Sequence, residues 1–236
     1  MDKQITLITG TRKGIGEQLA KHYISLNHLV IGCSRNTPEW CSCGNNNNYI
    51  HFQLDVSDEK SVTNMFSEIR KKYGYIDNLI NNAGVASMNH SVLTPISAFD
   101  IVFNTNTKGT FLFSREAYKL MSKRNYGRIV NFSTVAVPLK LDGEAIYAAS
   151  KAAIVSLTQT LAKEFASKGI TVNAIGPTPV KTDLIKNVPK DKIERLLNLQ
   201  SIHRFGEFVD IINIIDFYLR KESDFITGQV LYLGGL

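Results

Sequence analysis

The chain has 236 residues, of which 44% are hydrophobic and 20% charged, with a net charge of +6 at neutral pH. That balance fits an ordinary soluble domain near the upper size for a single hydrophobic core. No apolar run approaches the roughly 18 residues that span a bilayer, and Lys and Arg occur in short pairs such as Lys71-Lys72 and Lys123-Arg124. Membrane insertion is thereby excluded, and no basic tract favours nucleic acid as a partner.

Met1-Asp2-Lys3-Gln4 leads straight into an apolar run without the hydrophobic region of a signal peptide, so a cytoplasmic protein is expected. Gln4 to Thr9 reads as a buried strand, followed by Gly10-Thr11-Arg12-Lys13-Gly14-Ile15-Gly16 and a helical pattern through Leu19, Ala20, Tyr23 and Ile24. A strand, a glycine-rich turn and a helix make a dinucleotide site. Residues without a β-carbon let the backbone approach a pyrophosphate, whose charge the helix N-terminus meets.

Leu29 to Ser34 is the second strand, and its end is where an acidic residue would accept a free ribose hydroxyl. This chain offers Ser34-Arg35 there, with Arg12 and Lys13 in the glycine loop. Cations suit a 2′-phosphate, so the cofactor expected is NADP(H). Asn36 to Asn48 is an asparagine-rich loop holding Cys41 and Cys43; with Cys33 they form an odd set without zinc-site spacing, so reduced thiols and no metal are expected.

Strand character returns over Tyr49–Leu54, then Asp58 caps a helix whose Val62, Met65, Phe66 and Ile69 share a face. Further strands are expected at 76–80, 170–175 and 229–233, with a strand and turn over 127–134. Helices are expected over 96–123, 147–165, around 193–199 and over 209–219. Their alternation predicts one α/β domain, a doubly wound, seven-stranded parallel Rossmann sheet with helices on both faces. The Pro-punctuated excursion over about 176–205 is too long for a plain connector and predicts a lid.

Tyr147-Ala148-Ala149-Ser150-Lys151 places a phenol and an ammonium one helical turn apart. A neighbouring positive charge stabilises phenolate, so the Tyr147 pKa is expected to fall toward the range useful for proton exchange with an alcohol or carbonyl.

Together these motifs resemble the short-chain dehydrogenase/reductase family along nearly the whole chain. Thr9-Gly10-x-x-x-Gly14-x-Gly16 matches the family's cofactor loop, Asp55-Val56 its adenine contact and Asn81-Asn82-Ala83-Gly84 its N-N-A-G signature. Asn106 stands at its active-site asparagine, and Tyr147 with Lys151 at its Y-x-x-x-K. The resemblance is greatest to the NADPH-dependent 3-oxoacyl-acyl carrier protein reductases, alongside tropinone-reductase-like enzymes that share the Cys33-Ser34-Arg35-Asn36 style of ribose site.

That resemblance implies that Tyr147 protonates a carbonyl oxygen under reduction and that Lys151 also binds the nicotinamide ribose. It implies that Asn106 anchors a water leading to solvent, and that Pro177, Val180 and Thr182 face the nicotinamide end. The family's serine, thirteen residues before the tyrosine, is here Thr134, with Ser133 beside it; either hydroxyl could serve. Pro177-Thr178-Pro179 stands where the family has Pro-Gly. Val135, Ala136, Val137, Pro138, Leu139, Leu184, Ile185 and Val188 would wall a substrate pocket. Lys123, Arg124 and Lys168 could meet an acidic carrier protein.

The expected function is therefore NADPH-dependent reduction of a 3-oxoacyl thioester or similar keto substrate. Rival readings are another alcohol or ketone (a steroid, sugar, polyol or secondary metabolite), or a non-catalytic cofactor-binding regulator. The apolar circumference of the 147–165 helix suggests a homo-oligomer, dimer or tetramer.

Overall fold

Aliphatic and β-branched runs form the strands β1 (Ile5–Thr9), β2 (Leu29–Ser34), β3 (Tyr49–Gln53), β4 (Asn78–Asn81), β5 (Gly127–Phe132), β6 (Ile170–Gly176) and β7 (Val230–Tyr232). They pair side by side in the order β3-β2-β1-β4-β5-β6-β7, every pair parallel. β1, β4, β5 and β6 are buried along their whole length, as strands covered on both faces must be. This computed structural model describes residues 3–42, 47–186 and 188–236, without the side chains of residues 41, 42 and 184. Cys43, Asn45 and Asn46 of the asparagine-rich run, and the side chains of Cys41 and Leu184, lie outside the described residues.

Helices cover both faces, as the sequence predicts. On one side α2 (Glu59–Lys72), α4 (Gly109–Met121) and α6 (Ala145–Phe165) press Phe66, Phe113 and Leu161 against β1, β4 and β5. On the other, α1 (Gly14–Ser25) and α8 (Phe208–Leu219) bring Leu19, Tyr23, Ile211 and Ile215 onto Ile8, Ile80 and Val130. Asp58 caps α2 by accepting from the Lys60 and Ser61 amides. The chain adds strands outward from β1 in one direction and then restarts at β4 on its other side. The β1 and β4 loops therefore diverge, and a crevice opens at the strand C-termini.

The single helix expected over 96–123 is instead α3 (Ile96–Phe103) and α4, joined by a π-turn over Asn104–Lys108. One extra residue per turn is invisible to a 3.6-residue pattern, and such bulges concentrate at functional sites. A short α5 (Ala136–Leu139) follows β5; the excursion after β6 carries α7 (Lys190–Asn198), and its stem is fixed where Val180 pairs with Gly206.

At the opposite end of the sheet Arg128 is 2% exposed. Its guanidinium donates to the main-chain carbonyls of Gly127 (3.0 Å), Lys221 (3.2 Å), Arg220 (3.3 Å) and Gly169 (3.4 Å) and stacks over Tyr126. Replacing it with an apolar residue leaves four carbonyls short of a donor. Arg128→Leu is expected to lower the unfolding free energy by about 2–4 kcal/mol in urea denaturation; a change within the error of wild type would refute this role.

Candidate active site

The glycine loop is built by close approach. Gly10 and Gly14 hold φ of +76° and +63°, a region L side chains rarely enter. A β-carbon on Gly16 would stand 2.2 Å from the Gly10 carbonyl oxygen and 2.5 Å from Asn82 Nδ2. Asn82 Nδ2 donates to the carbonyls of Thr9 (2.9 Å) and Gly10 (3.3 Å), and the Ala83 amide donates to Thr9 Oγ1 (2.9 Å). The ends of β1 and β4 are thereby stitched together at the floor of the crevice. Lys13, the N-cap of α1, offers no side-chain acceptor. The first-turn amides of that helix therefore keep their donors and the positive end of its dipole for an anion.

Thr11 supports the loop from behind. Its hydroxyl bonds Tyr49 Oη at 2.8 Å, and its carbonyl accepts from Trp40 Nε1 at 3.0 Å. Tyr49 continues to His51 Nδ1 (3.0 Å), and His51 Nε2 to Ser34 Oγ (3.3 Å). Four side chains thus tie the glycine loop to the end of β2. Beyond them Arg12 and Arg35 line the crevice, both exposed and with no ion pair among the described residues. Lys13 departs from expectation: it is paired with Asp183 of the excursion, so its charge is already answered.

At the other end Tyr147 and Lys151 project from α6, 8% and 5% exposed. Lys151 Nζ donates to the Phe132 carbonyl oxygen at 2.8 Å. Burial brings its pKa down to about 8. Burial also pushes the Tyr147 phenol up to about 12, against the Thr134 hydroxyl, which holds it down, and with the Glu144 charge, which adds to the rise. The expected depression of the Tyr147 pKa by Lys151 is therefore corrected: desolvation outweighs any help from the ammonium. The phenol remains a proton donor throughout the neutral range.

The two hydroxyls before this helix both line the cavity but differ in their partners. Thr134 faces the phenol and the crevice, whereas Ser133 Oγ donates to the Lys151 carbonyl oxygen at 3.3 Å. The Asn106 side chain, in the π-turn, donates to the Val85 carbonyl (2.9 Å) and Ser150 Oγ (3.0 Å) and accepts from the Val85 amide (2.8 Å). Gly84 makes room for this grouping, since a β-carbon there would lie 3.3 Å from both Asn106 Oδ1 and Lys151 Nζ.

One cavity of about 1080 Å³ joins these parts. It is lined by Gly10, Arg12, Lys13, Gly14, Ile15, Ser34, Arg35, Asp55, Val56, Asn82, Ala83 and Gly84 at the loop side. Ser133, Thr134, Tyr147, Lys151, Pro177, Val180 and Thr182 line the rest. Thr11, Gly16 and Asn106 stand behind the wall, as supports. Of the apolar residues expected around a substrate, Val135, Ala136 and Ile185 line the cavity, joined by Met88, Leu141 and Leu196; Val137, Pro138, Leu139 and Val188 do not. Sequence reasoning missed Glu144 and Asp183. Glu144 lies three residues before Tyr147, on the helical face of the phenol, and that spacing was the available signal.

Residues 4–193 match the short chain dehydrogenase family model. The chain belongs to the short-chain dehydrogenase/reductase family. It is 32% identical to the 3-oxoacyl-acyl-carrier-protein reductase of Rickettsia bellii over 98% of this chain and 95% of that protein. It is 31% identical to that of Escherichia coli over 98% and 96%. Among solved structures, ElxO with NADP bound superposes with a TM-score of 0.90 at 32% identity, covering 98% of this chain and 97% of that one. A short-chain dehydrogenase from Leptospira borgpetersenii with bound NAD+ gives 0.89 at 26%, covering 99% and 92%.

This short-chain dehydrogenase/reductase has the features that a nicotinamide dinucleotide needs: an uncapped helix N-terminus, glycines at the loop and a cavity long enough for both ends. Gly16→Val is expected to displace Asn82 and separate β1 from β4, destabilising the fold by about 1–3 kcal/mol. Loss of cofactor binding should accompany it, checked by thermal melting and by the fluorescence of added NADPH; wild-type binding in that variant would refute the close-approach reading.

Proposed function

We propose that this short-chain dehydrogenase/reductase is an NADPH-dependent ketoreductase. The observation that carries the reading is one cavity with Arg12 and Arg35, without an ion pair among the described residues, at one end and a protonated Tyr147, Thr134 and buried Lys151 at the other. No acidic residue ends β2, where a free ribose hydroxyl would call for one. ElxO with NADP bound supports the same cofactor, while the Leptospira relative with NAD+ makes the preference a matter for measurement.

NADPH, when bound, supplies the hydride. Arg12 and Arg35 would hold its 2′-phosphate, the first-turn amides of α1 its pyrophosphate, and Asp55 and Val56 its adenine. Asn82, Ala83 and Gly84 would line its path across the sheet, with Lys151 at the ribose and Pro177, Val180 and Thr182 at the nicotinamide end. Tyr147 donates its proton to the ketone oxygen, and the Thr134 hydroxyl donates to the same oxygen and fixes its position. The Lys151 ammonium offsets the charge left on the phenol. Asn106 keeps Ser150 and the Val85 main chain, in the loop after β4, in register with Lys151.

The 3-oxoacyl-acyl-carrier-protein reductases it resembles make 3-oxoacyl thioesters the reference substrates. Carrier docking through Arg124 finds less support, because that guanidinium lies 4.0 Å from the Tyr75 ring centre and pairs with Asp77. Exposed Ile96, Ile101 and Phe111 on α3 and α4 fit a homo-oligomer.

The reading is tested by following NADPH and NADH oxidation side by side with acetoacetyl thioesters and free ketones. Wild type should prefer NADPH, and Tyr147→Phe should lose roughly 10²–10⁴-fold in kcat while still enhancing NADPH fluorescence. Full activity in Tyr147→Phe, or a clear preference for NADH, would overturn it.

The pH dependence follows from two groups. Tyr147 stays protonated well above neutrality, so it does not limit reduction. Lys151 carries its charge below about 8 and loses it above. Reductive kcat/KM should therefore be level near neutral pH and decline as pH rises through about 8. A rise across that range would contradict the assignment.

A further inference from the structure

One carboxylate in the cavity has no part in the chemistry just described. Glu144 is the last residue before α6 and lines the wall with Tyr147, Thr134, Met88 and Leu141. Its side chain makes no capping hydrogen bond, and among the described residues none reaches its carboxylate. The charge that acts on it is Lys192 of α7, which forms no ion pair with it among the described residues. Burial pushes the Glu144 carboxyl upward. A half-buried carboxylate among apolar neighbours is costly unless a donor answers it, and this one lines the space a substrate must occupy.

Resting on the ketoreductase reading of this cavity, we propose that Glu144 is a specificity-determining residue that accepts a hydrogen bond from a hydroxyl or ammonium group carried beside the carbonyl under reduction. The same charge disfavours substrates that present a carboxylate at that position. A plain 3-oxoacyl thioester offers only acceptors next to its ketone, so it leaves Glu144 unanswered. The preferred substrates are ketones with a neighbouring O–H or N–H donor, held with the ketone oxygen at Tyr147 and Thr134.

The test measures kcat/KM of the wild-type protein with NADPH for four matched ketones: hydroxyacetone, aminoacetone, 2-butanone and acetoacetate. The two donor-bearing ketones should exceed 2-butanone by roughly 10- to 100-fold, and acetoacetate should be poorest. A larger gain for aminoacetone identifies a cation as the favoured donor, and equal gains identify a neutral one. In Glu144→Gln the discrimination against acetoacetate should shrink, and in Glu144→Leu the preference for donors should vanish. NADPH fluorescence verifies that each variant is folded; if neither binds NADPH, the wild-type ratios decide alone. Equal rates for hydroxyacetone, aminoacetone and 2-butanone, or acetoacetate as the best substrate, would overturn the role of Glu144 while leaving the ketoreductase reading intact. Failure of wild type to reduce any ketone or thioester would instead remove that reading and this inference together.

Discussion

Lys151 Nζ is held against the Phe132 carbonyl oxygen deep in the protein, and burying an ammonium beside a single neutral acceptor is unfavourable on its own. Much of the local architecture serves to make that position tenable. The missing side chain of Gly84 leaves the room, and Ser133 bonds the main chain of the same helix turn. The π-turn brings Asn106 to Ser150, one residue away from the lysine. The low pKa is the result, and it is what makes this cation responsive near physiological pH.

The phenol beside it illustrates how a one-turn spacing can mislead. Tyr147 and Lys151 were legible as a pair because i and i+4 share a helix face, and the structure places both in one cavity. Their electrostatics were not legible. Whether a neighbouring charge or desolvation wins depends on burial and on where the ammonium points, and neither is carried by spacing. The outcome is a phenol that keeps its proton at neutral pH and can donate it.

Elsewhere the pattern of readable and unreadable features has the same origin. The strands could be read because buried parallel strands are continuous apolar runs such as Ile5–Thr9, and α2 because Asp58 and its apolar face are local signals. The π-turn, the Lys13–Asp183 pair and the Thr11–Tyr49–His51–Ser34 chain are contacts between residues far apart in sequence or departures from ideal period. No short window contains the two sets of contacts, and the π-turn, though local, escapes a 3.6-residue template. Lys13 shows the functional cost of that blindness: three cations were counted for a phosphate, and among the described residues two remain without an ion pair.

Arg128 has a consequence for how the chain is made. Its guanidinium, on β5, is satisfied in part by the carbonyls of Arg220 and Lys221, some ninety residues later. A growing polypeptide that has emerged only as far as α7 already contains six of the seven strands, yet it would have to bury this cation without two of its acceptors. The early strands are therefore discouraged from locking into a finished sheet during synthesis. The turn after α8, which leads on to β7, supplies the two carbonyls that complete the acceptor set around this cation.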